Sequence, residues 1–157
     1  MQSRFSDRVA IVTGGGSGIG EAIALRIAAE GGRVVVFDRE PGALERVRTQ
    51  HGLEALQVDV ADGEAVEARI AHVVGRYGRL DIAVNSAGIV GPTSTNIVAY
   101  PAADFHNVLN VNLVGSFNLT KYAIQAMLPR NYGRVLMLAS MAGKDGNPGM
   151  VGYASAK

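Results

Sequence analysis

Two side chains near the carboxyl end of the chain have the types and the spacing needed for proton transfer. Tyr153 and Lys157 are four residues apart, so on a helix that starts at Tyr153 they lie one turn apart on the same face. Ser140, thirteen residues before Tyr153, offers a hydroxyl. A phenol beside an ammonium, with a hydroxyl nearby, can move a proton on or off an alcohol.

The ammonium matters because a free phenol loses its proton only near pH 10. At about 4 Å and an effective dielectric of about 20, one positive charge stabilises a phenolate by about 4 kcal/mol. This is enough in principle to make a phenol a base near neutrality, although desolvation opposes it. Taken alone, Tyr153 and Lys157 could instead be a packed core phenol and a solvated lysine; Ser140 and the glycine-rich turn favour catalysis.

The glycine-rich turn is the stretch Thr13–Gly20, Thr-Gly-Gly-Gly-Ser-Gly-Ile-Gly, between a predicted strand and a predicted helix. Its glycines permit a tight turn and a close approach of the backbone to a pyrophosphate, which the N-terminus of the next helix would also attract. A flexible turn without a ligand is the simpler alternative, but the strand–turn–helix setting is the one that a dinucleotide site requires.

Asp38 lies eighteen residues after Gly20, at the end of the second predicted strand. A carboxylate there can accept hydrogen bonds from both ribose hydroxyls and would repel a 2′-phosphate, which favours NAD over NADP. The neighbouring cation Arg39 could act in the opposite direction and favour NADP. The alternative is that Asp38 only caps the next helix.

Apolar strands alternate with longer helical patterns along the chain. The predicted strands are Val9–Thr13, Arg33–Asp38, Leu53–Val58, Asp81–Asn85 and Arg134–Ala139. The predicted helices are Gly18–Glu30, Pro41–His51, Asp62–Tyr77 and Ala102–Arg130. The strands are apolar throughout, as expected when both faces of a sheet are covered. The pattern predicts an α/β fold, a doubly wound parallel sheet of the Rossmann type with helices on both faces.

One domain over residues 1–157 is expected from the length. Doubly wound dinucleotide folds usually have six or more strands, and the fifth strand would be an unpaired apolar edge. We therefore expect the C-terminal part of the sheet to be absent from the chain, so that the domain is truncated at this end or another chain covers the edge.

Composition excludes several classes of function. Fifteen basic and fourteen acidic residues leave a net charge of +1, which gives no electrostatic case for nucleic acid or an anionic membrane. There is no cysteine, which excludes disulfides and thiolate chemistry, and the histidines have no metal-binding spacing. The apolar run Val9–Val12 is too short for a membrane span. We expect a cytoplasmic protein without a metal.

Asn112 is a polar residue in the longest predicted helix. An apolar stripe in that helix is formed by Phe105, Leu109, Leu113 and Phe117. Asn112, seven residues after Phe105, lies on the same side of the helix as Phe105. A polar amide that faces the core needs hydrogen-bond partners. A structural amide bonded to backbone and a holder of a relay water are both compatible with this position.

The ordered set of motifs resembles the short-chain dehydrogenase/reductase family over the whole length of the chain. The motifs are Thr-Gly-xxx-Gly-x-Gly at 13–20, Asp59-Val60, Asn85-Ser86-Ala87-Gly88, Asn112, Ser140 and Tyr153-xxx-Lys157. Ser86 departs from the family pattern, which often has a second asparagine at this position. The motifs are modest one by one, but their order is highly specific.

The resemblance implies a role for each matching residue. Gly14, Ser17, Gly18, Ile19 and Gly20 would hold the pyrophosphate, and Asp38 the adenosine ribose. Asp59 and Val60 would border the adenine, while Asn85, Ala87 and Gly88 would line the cofactor channel and brace the central sheet. Tyr153 would be the acid–base group, with Lys157 as its electrostatic partner and as a ligand of the nicotinamide ribose. Ser140 would position the substrate oxygen, and Asn112 would hold a relay water.

The expected function is NAD-dependent hydride transfer between nicotinamide and a secondary alcohol or ketone. The substrate would be a hydroxy acid, a sugar-type acid or a 3-oxoacyl thioester, and the resemblance also implies a homo-oligomer, a dimer or a tetramer. The alternative is an NAD-binding fragment without turnover.

Overall fold

The computed structural model describes residues 3–157 and contains one sheet of five strands. The strands are β1 (Val9–Thr13), β2 (Arg33–Asp38), β3 (Glu54–Gln57), β4 (Ile82–Asn85) and β5 (Arg134–Met137). Their order is β3-β2-β1-β4-β5, and every pairing is parallel. The predicted doubly wound parallel sheet is confirmed.

Helices cover both faces of this sheet. They are α1 (Gly18–Ala29), α2 (Pro41–His51), α3 (Gly63–Tyr77), α4 (Ala102–Leu109), α5 (Gly115–Met127), α6 (Met141–Asp145) and α7 (Val151–Ala156). Because side chains alternate along a strand, Ile11 packs in the core cluster with α3 and α5, whereas Val12 packs in the cluster with α1 and α2. The sheet is therefore the middle of three layers.

Asp81 ties the beginnings of β1 and β4 together. Its buried carboxylate accepts hydrogen bonds from the Val9 N–H at 2.9 Å and from two nitrogens of Arg79 at 2.7 and 2.6 Å. Burial acts to raise the pKa of Asp81, but Arg79, the Val9 N–H and Arg8 together hold it below its ordinary value. The carboxylate is therefore ionised and fully engaged at neutral pH.

The predicted helix Ala102–Arg130 is not regular throughout. A π-helical segment, Asn110–Val114, separates α4 from α5, and a 3₁₀ turn, Leu128–Arg130, follows α5. The prediction of one uninterrupted α-helix was wrong because an apolar period does not report whether a turn closes with one extra residue. Such π-helical turns are frequent at functional sites.

The predicted apolar stripe of this helix also faces the wrong way at its C-terminal end. Leu113 and Phe117 are 53% and 62% exposed, whereas Val108 and Leu119 are fully buried. Residues four apart advance by about 40° round a helix of 3.6 residues per turn, so the stripe that begins at Phe105 drifts away from the core side. Asn112 is 2% exposed, so it faces inward as predicted.

The remaining differences from the predicted elements are small. The strands β3, β4 and β5 are each one or two residues shorter than predicted. The helix that carries Tyr153 starts at Val151 instead of at Tyr153. Within residues 3–157, no helix combines the length and the apolar character that a bilayer crossing needs.

Candidate active site

A cleft of about 400 Å³ opens at the carboxyl ends of the strands and brings most of the predicted site residues together. The members of the predicted set that line it are Gly14, Ser17, Gly18, Ile19, Asp38, Asp59, Val60, Ala87, Gly88, Tyr153 and Lys157. Gly20, Asn85, Asn112 and Ser140 are not among its walls. In parallel sheets, ligands bind at this edge, outside the carboxyl ends of the strands.

The glycine-rich turn has the backbone that its sequence predicts. Gly14 and Gly18 have φ values of +61° and +55°, in the left-handed region that favours glycine. A methyl group at Gly14 would lie 2.8 Å from the Ala87 backbone nitrogen, and one at Gly20 would lie 2.3 Å from the Gly14 carbonyl oxygen. These close approaches let α1 begin directly at the cleft, at Gly18.

Asp38 organises the backbone around the end of β2. One carboxylate oxygen accepts the Gly16 N–H at 2.9 Å, and the other accepts the Glu40 N–H at 3.1 Å. The residue that caps α2 is Glu40, so Asp38 precedes the cap. Each carboxylate oxygen keeps one lone pair for a further donor. The neighbouring Arg39 pairs with Glu40 at 3.2 Å.

Asp59 and Val60 form the next part of the wall. The Asp59 carboxylate accepts the Ala61 N–H at 2.9 Å, which shapes the turn after β3. The Val60 carbonyl accepts a hydrogen bond from the Asn118 side chain at 2.9 Å. Gly115 packs against Val60 so closely that a methyl group there would lie 2.6 Å from the valine side chain. The helix α5 therefore fixes this wall from behind.

A chain of side-chain hydrogen bonds joins β1, β4 and α5 below the cleft. The Thr13 hydroxyl donates to the Asn85 side chain at 3.0 Å and accepts the Ser86 and Ala87 N–H groups at 3.2 Å. The Asn85 amide then donates to Ser116 at 2.6 Å, and Ser116 donates to the Asn112 carbonyl. Asn85 thus braces the sheet beneath the cleft without lining it.

Asn112 holds the segment that follows β4 by two hydrogen bonds. Its amide oxygen accepts the Ile89 N–H at 2.8 Å, and its amide nitrogen donates to the Ile89 carbonyl at 2.9 Å. Asn112 is therefore a structural amide bonded to backbone, the first of the two roles compatible with its position. A methyl group at Gly88 would lie 3.3 Å from the Asn112 oxygen and 3.7 Å from the Lys157 ammonium, so the amide and the ammonium border the same space.

Tyr153 and Lys157 lie together, as their spacing predicts. The Lys157 Nζ is 5.8 Å from the centroid of the Tyr153 ring. Lys157 also donates to the Leu138 carbonyl at 2.9 Å, at the end of β5. That carbonyl anchors the ammonium at the cleft, and sequence reasoning could not find it because a backbone oxygen leaves no signal in the sequence.

Ser140 is the N-cap of α6. Its hydroxyl oxygen accepts the Ala142 N–H at 3.1 Å, and its carbonyl accepts the Gly143 N–H at 3.1 Å. This arrangement fixes the hydroxyl beyond the end of β5 and leaves its own hydrogen available to another acceptor.

Sequence reasoning missed two groups that support the cleft. Ser116 completes the hydrogen-bond chain from Thr13, and no local pattern distinguishes it from other helix serines. Arg46 reaches the glycine-rich turn across thirty residues of sequence, donating to the Gly16 carbonyl at 2.6 Å. Among the residues that the structure describes, no cluster of three His, Asp or Glu side chains could hold a metal ion.

Known proteins with similar sequences and structures give the family. A family model described as short chain dehydrogenase matches residues 8–157. The 2-dehydro-3-deoxy-L-rhamnonate dehydrogenase (NAD(+)) of Sphingomonas sp. (strain SKA58) is 41% identical, with 98% of this chain and 62% of the relative covered. The levodione reductase of Leifsonia aquatica is 37% identical, with 99% of this chain and 60% of the relative covered.

Solved structures agree with these sequences. An NAD⁺-bound xylitol dehydrogenase superimposes with a TM-score of 0.90 at 39% identity, over 98% of this chain and 61% of the other. The chain thus spans about three fifths of the length of the relatives it matches. Since the family model covers the strands, the glycine-rich turn and the Tyr153–Lys157 pair alike, the chain belongs to the short-chain dehydrogenase family.

Proposed function

We propose that this protein is an NAD(H)-dependent oxidoreductase that transfers a hydride between nicotinamide and a secondary alcohol or ketone. The observation that carries the proposal is the cleft, whose walls join the glycine-rich turn and Asp38 to Tyr153 and Lys157. A dinucleotide needs a site for its adenosine, a cradle for the central pyrophosphate and a reacting centre at the nicotinamide end, and one cleft offers all three. The names of the relatives support the same class of reaction.

The residues around the cleft fit an NAD molecule. Gly14 and Gly18 leave the turn without side chains where a pyrophosphate would approach, and Ser17 and Ile19 complete the cradle. Asp38 would accept hydrogen bonds from the adenosine ribose, and the adenine would lie near Asp59 and Val60. Ala87 and Gly88 would line the channel towards the nicotinamide.

The side chains at the other end of the cleft would handle the proton. The nicotinamide, when bound, supplies the hydride chemistry. We assign the acid–base role to Tyr153: during oxidation its phenolate takes the proton of the alcohol, and during reduction its hydroxyl returns a proton to the carbonyl oxygen. The Lys157 ammonium stabilises the phenolate and would contact the nicotinamide ribose. Ser140 would donate its hydroxyl hydrogen to the substrate oxygen.

Asn112 would hold the water that relays this proton. Its two hydrogen bonds to Ile89 use one lone pair and one amide hydrogen. The amide keeps a second lone pair and a second hydrogen that can bond a water, so a relay water is compatible with the structural role.

NAD is the proposed cofactor, with NADP the less favoured one. The Asp38 carboxylate would repel a 2′-phosphate; Arg39 also borders the cleft, but its guanidinium is paired with Glu40 at 3.2 Å. A sugar-type or other hydroxy acid is the proposed substrate class, because a sugar-acid dehydrogenase is among the most similar relatives. A 3-oxoacyl thioester is the competing class, since reductases of this kind are also similar.

We also propose a homo-oligomer, a dimer or a tetramer. Leu113, Phe117, Ile124 and Leu128 follow one another at helical spacing along α5 and its flanking turns, and all four are exposed. An apolar stripe of this length is typical of a surface that another subunit covers. The cytoplasmic location stays a prediction.

The test of the proposed function is Tyr153→Phe in the whole protein, with Tyr122→Phe as the matched control. Tyr122 loses the same hydroxyl at the edge of the core, away from the cleft. We expect Tyr153→Phe to abolish NADH formation with a panel of alcohols, hydroxy acids and sugar acids, while the Kd for NAD, from calorimetry, changes less than about threefold. The control should keep wild-type turnover.

Unchanged turnover in Tyr153→Phe would remove this residue from the mechanism. A wild-type protein that binds NAD but oxidises or reduces no member of the panel would support the alternative of NAD binding without turnover.

A further inference from the structure

The side chain of Arg46, in the middle of α2, reaches back to the glycine-rich turn. Its guanidinium donates to the Gly16 carbonyl at 2.6 Å and to both carboxylate oxygens of Glu21, at 2.5 and 3.0 Å. Glu21 lies in the first turn of α1, and its side chain is 18% exposed. His51, at the end of α2, approaches the same carboxylate at 3.0 Å. Arg46 therefore joins α2 to the turn and to α1.

The other side of Gly16 faces Asp38. The Gly16 N–H donates to the Asp38 carboxylate at 2.9 Å, and a methyl group at Gly16 would lie 2.6 Å from the same oxygen. One residue is thus held at its carbonyl by Arg46 and at its N–H by Asp38. Because a glycine backbone is mobile unless it is held, the Arg46 contact limits the positions that the Gly16 N–H can take.

The pair of Arg46 and Glu21 is ionised at neutral pH. Hydrogen bonding to Arg46 holds the pKa of Glu21 below its ordinary value, although burial opposes this shift. The planar guanidinium can grip the carboxylate and the Gly16 carbonyl at once, which the single ammonium of a lysine cannot do with the same geometry.

From this geometry we infer that Arg46 is a positioning residue for the adenosine ribose, and that it contributes to the preference for NAD over NADP. The inference rests on the proposed function. By fixing Gly16, Arg46 fixes the N–H that orients the Asp38 carboxylate toward the two ribose hydroxyls. NADP gains nothing from this orientation, because its 2′-phosphate replaces one of those hydroxyls and is repelled by the carboxylate.

The experiment measures the Kd of NAD and of NADP, by calorimetry on the whole protein, for wild type, Arg46→Gln, Arg46→Lys and Arg48→Gln. Arg48 is the matched control because it lies on the same helix and also donates to a backbone carbonyl, that of Ala55, at 3.2 and 2.6 Å. The melting temperature of each variant reports any purely structural effect.

We expect Arg46→Gln to weaken NAD binding about tenfold. This corresponds to the loss of one hydrogen bond between a ribose hydroxyl and the charged Asp38 carboxylate. NADP binding should change much less, so the ratio of the NADP Kd to the NAD Kd should fall about tenfold. Arg46→Lys keeps the charge but cannot hold the Glu21 carboxylate and the Gly16 carbonyl with the same geometry, so the ratio should fall in this variant as well. It carries the test if the glutamine variant unfolds. Arg48→Gln should keep the wild-type ratio at a similar melting temperature.

A wild-type ratio in Arg46→Gln, or in a folded Arg46→Lys, overturns the inference and leaves the proposed function intact. An equal fall of the ratio in Arg48→Gln also overturns it, because a general loosening of α2 would then be the cause. A wild-type protein that binds neither dinucleotide overturns the proposed function itself and the role of Arg46 with it.

Discussion

Replacing the amide of Asn112 by a carboxyl group tests the double hydrogen bond to Ile89. In Asn112→Asp one oxygen still accepts the Ile89 N–H, but the other faces the Ile89 carbonyl, to which the native nitrogen donates at 2.9 Å. The lost hydrogen bond costs about 1 kcal/mol, and a buried carboxylate oxygen left without a donor costs about 1–3 kcal/mol more. We expect the free energy of unfolding to fall by about 2–4 kcal/mol at pH 7.

The loss should shrink in acid. The Lys157 ammonium beyond Gly88 acts to lower the pKa of the introduced carboxyl, but we expect burial against a carbonyl oxygen to outweigh it. The pKa in the folded state then lies above its unfolded value of about 3.9. Below about pH 4 the carboxyl is protonated in both states, and its O–H can donate to Ile89. As the pH rises from there through the raised pKa, the unfolded chain loses its proton first, so the variant loses stability until it reaches a plateau.

The free energy of unfolding is measured at several pH values by urea titration with circular dichroism as the signal, since the chain has no tryptophan to report by fluorescence. Asn107→Asp is the matched control: it introduces the same charge at an exposed position of the neighbouring helix α4 and should change stability by less than about 0.5 kcal/mol. Equal losses in the two variants, or a loss at Asn112 that persists undiminished in acid, would refute the reasoning.

Asp38, Tyr100 and Asp81 give three further tests. Asp38→Ala should lower the ratio of the NADP Kd to the NAD Kd, and an unchanged ratio would leave Asp38 only its backbone role. The buried Tyr100 hydroxyl has no hydrogen-bond partner within residues 3–157, so Tyr100→Phe should raise the free energy of unfolding by about 1 kcal/mol in urea titrations; a loss of stability would contradict this. Because the pKa of Asp81 is lowered in the folded state, its stabilisation is complete above about pH 4 and disappears as the pH falls through the lowered value. Acid titration of Asp81→Asn should therefore show a shallower loss of stability than wild type, and an identical slope would be the contrary result.

The central strands and the glycine-rich turn were the parts most open to prediction from the sequence. The bounds of β1 and β2, Val9–Thr13 and Arg33–Asp38, are those predicted, because strands covered on both faces are apolar without interruption. The left-handed backbone of Gly14 and Gly18 follows from residue type and setting, since glycine adopts it without strain. Local chemistry decides these features, and the sequence contains it.

Features that depend on neighbouring elements were not predictable. Residues four apart drift round the helix after Pro101, and only its packing against the sheet shows where the buried face lies, so Leu113 and Phe117 were assigned to the wrong side. The outer strand β5 ends at Met137, short of the predicted Ala139, because its one partner, β4, ends at Asn85, opposite Met137. The contact of Arg46 with Gly16 arises only when α2 folds back on the turn.

The hydrogen bond from Lys157 to the Leu138 carbonyl limits what this ammonium can do next. An ammonium has three hydrogens, and one is already committed to the end of β5 at 2.9 Å. At most two remain for any arriving molecule, and their directions are set because the committed N–H stops the group from spinning freely. A ligand that approaches Lys157 therefore meets a donor pair of fixed orientation, whose rotational entropy has already been lost during folding.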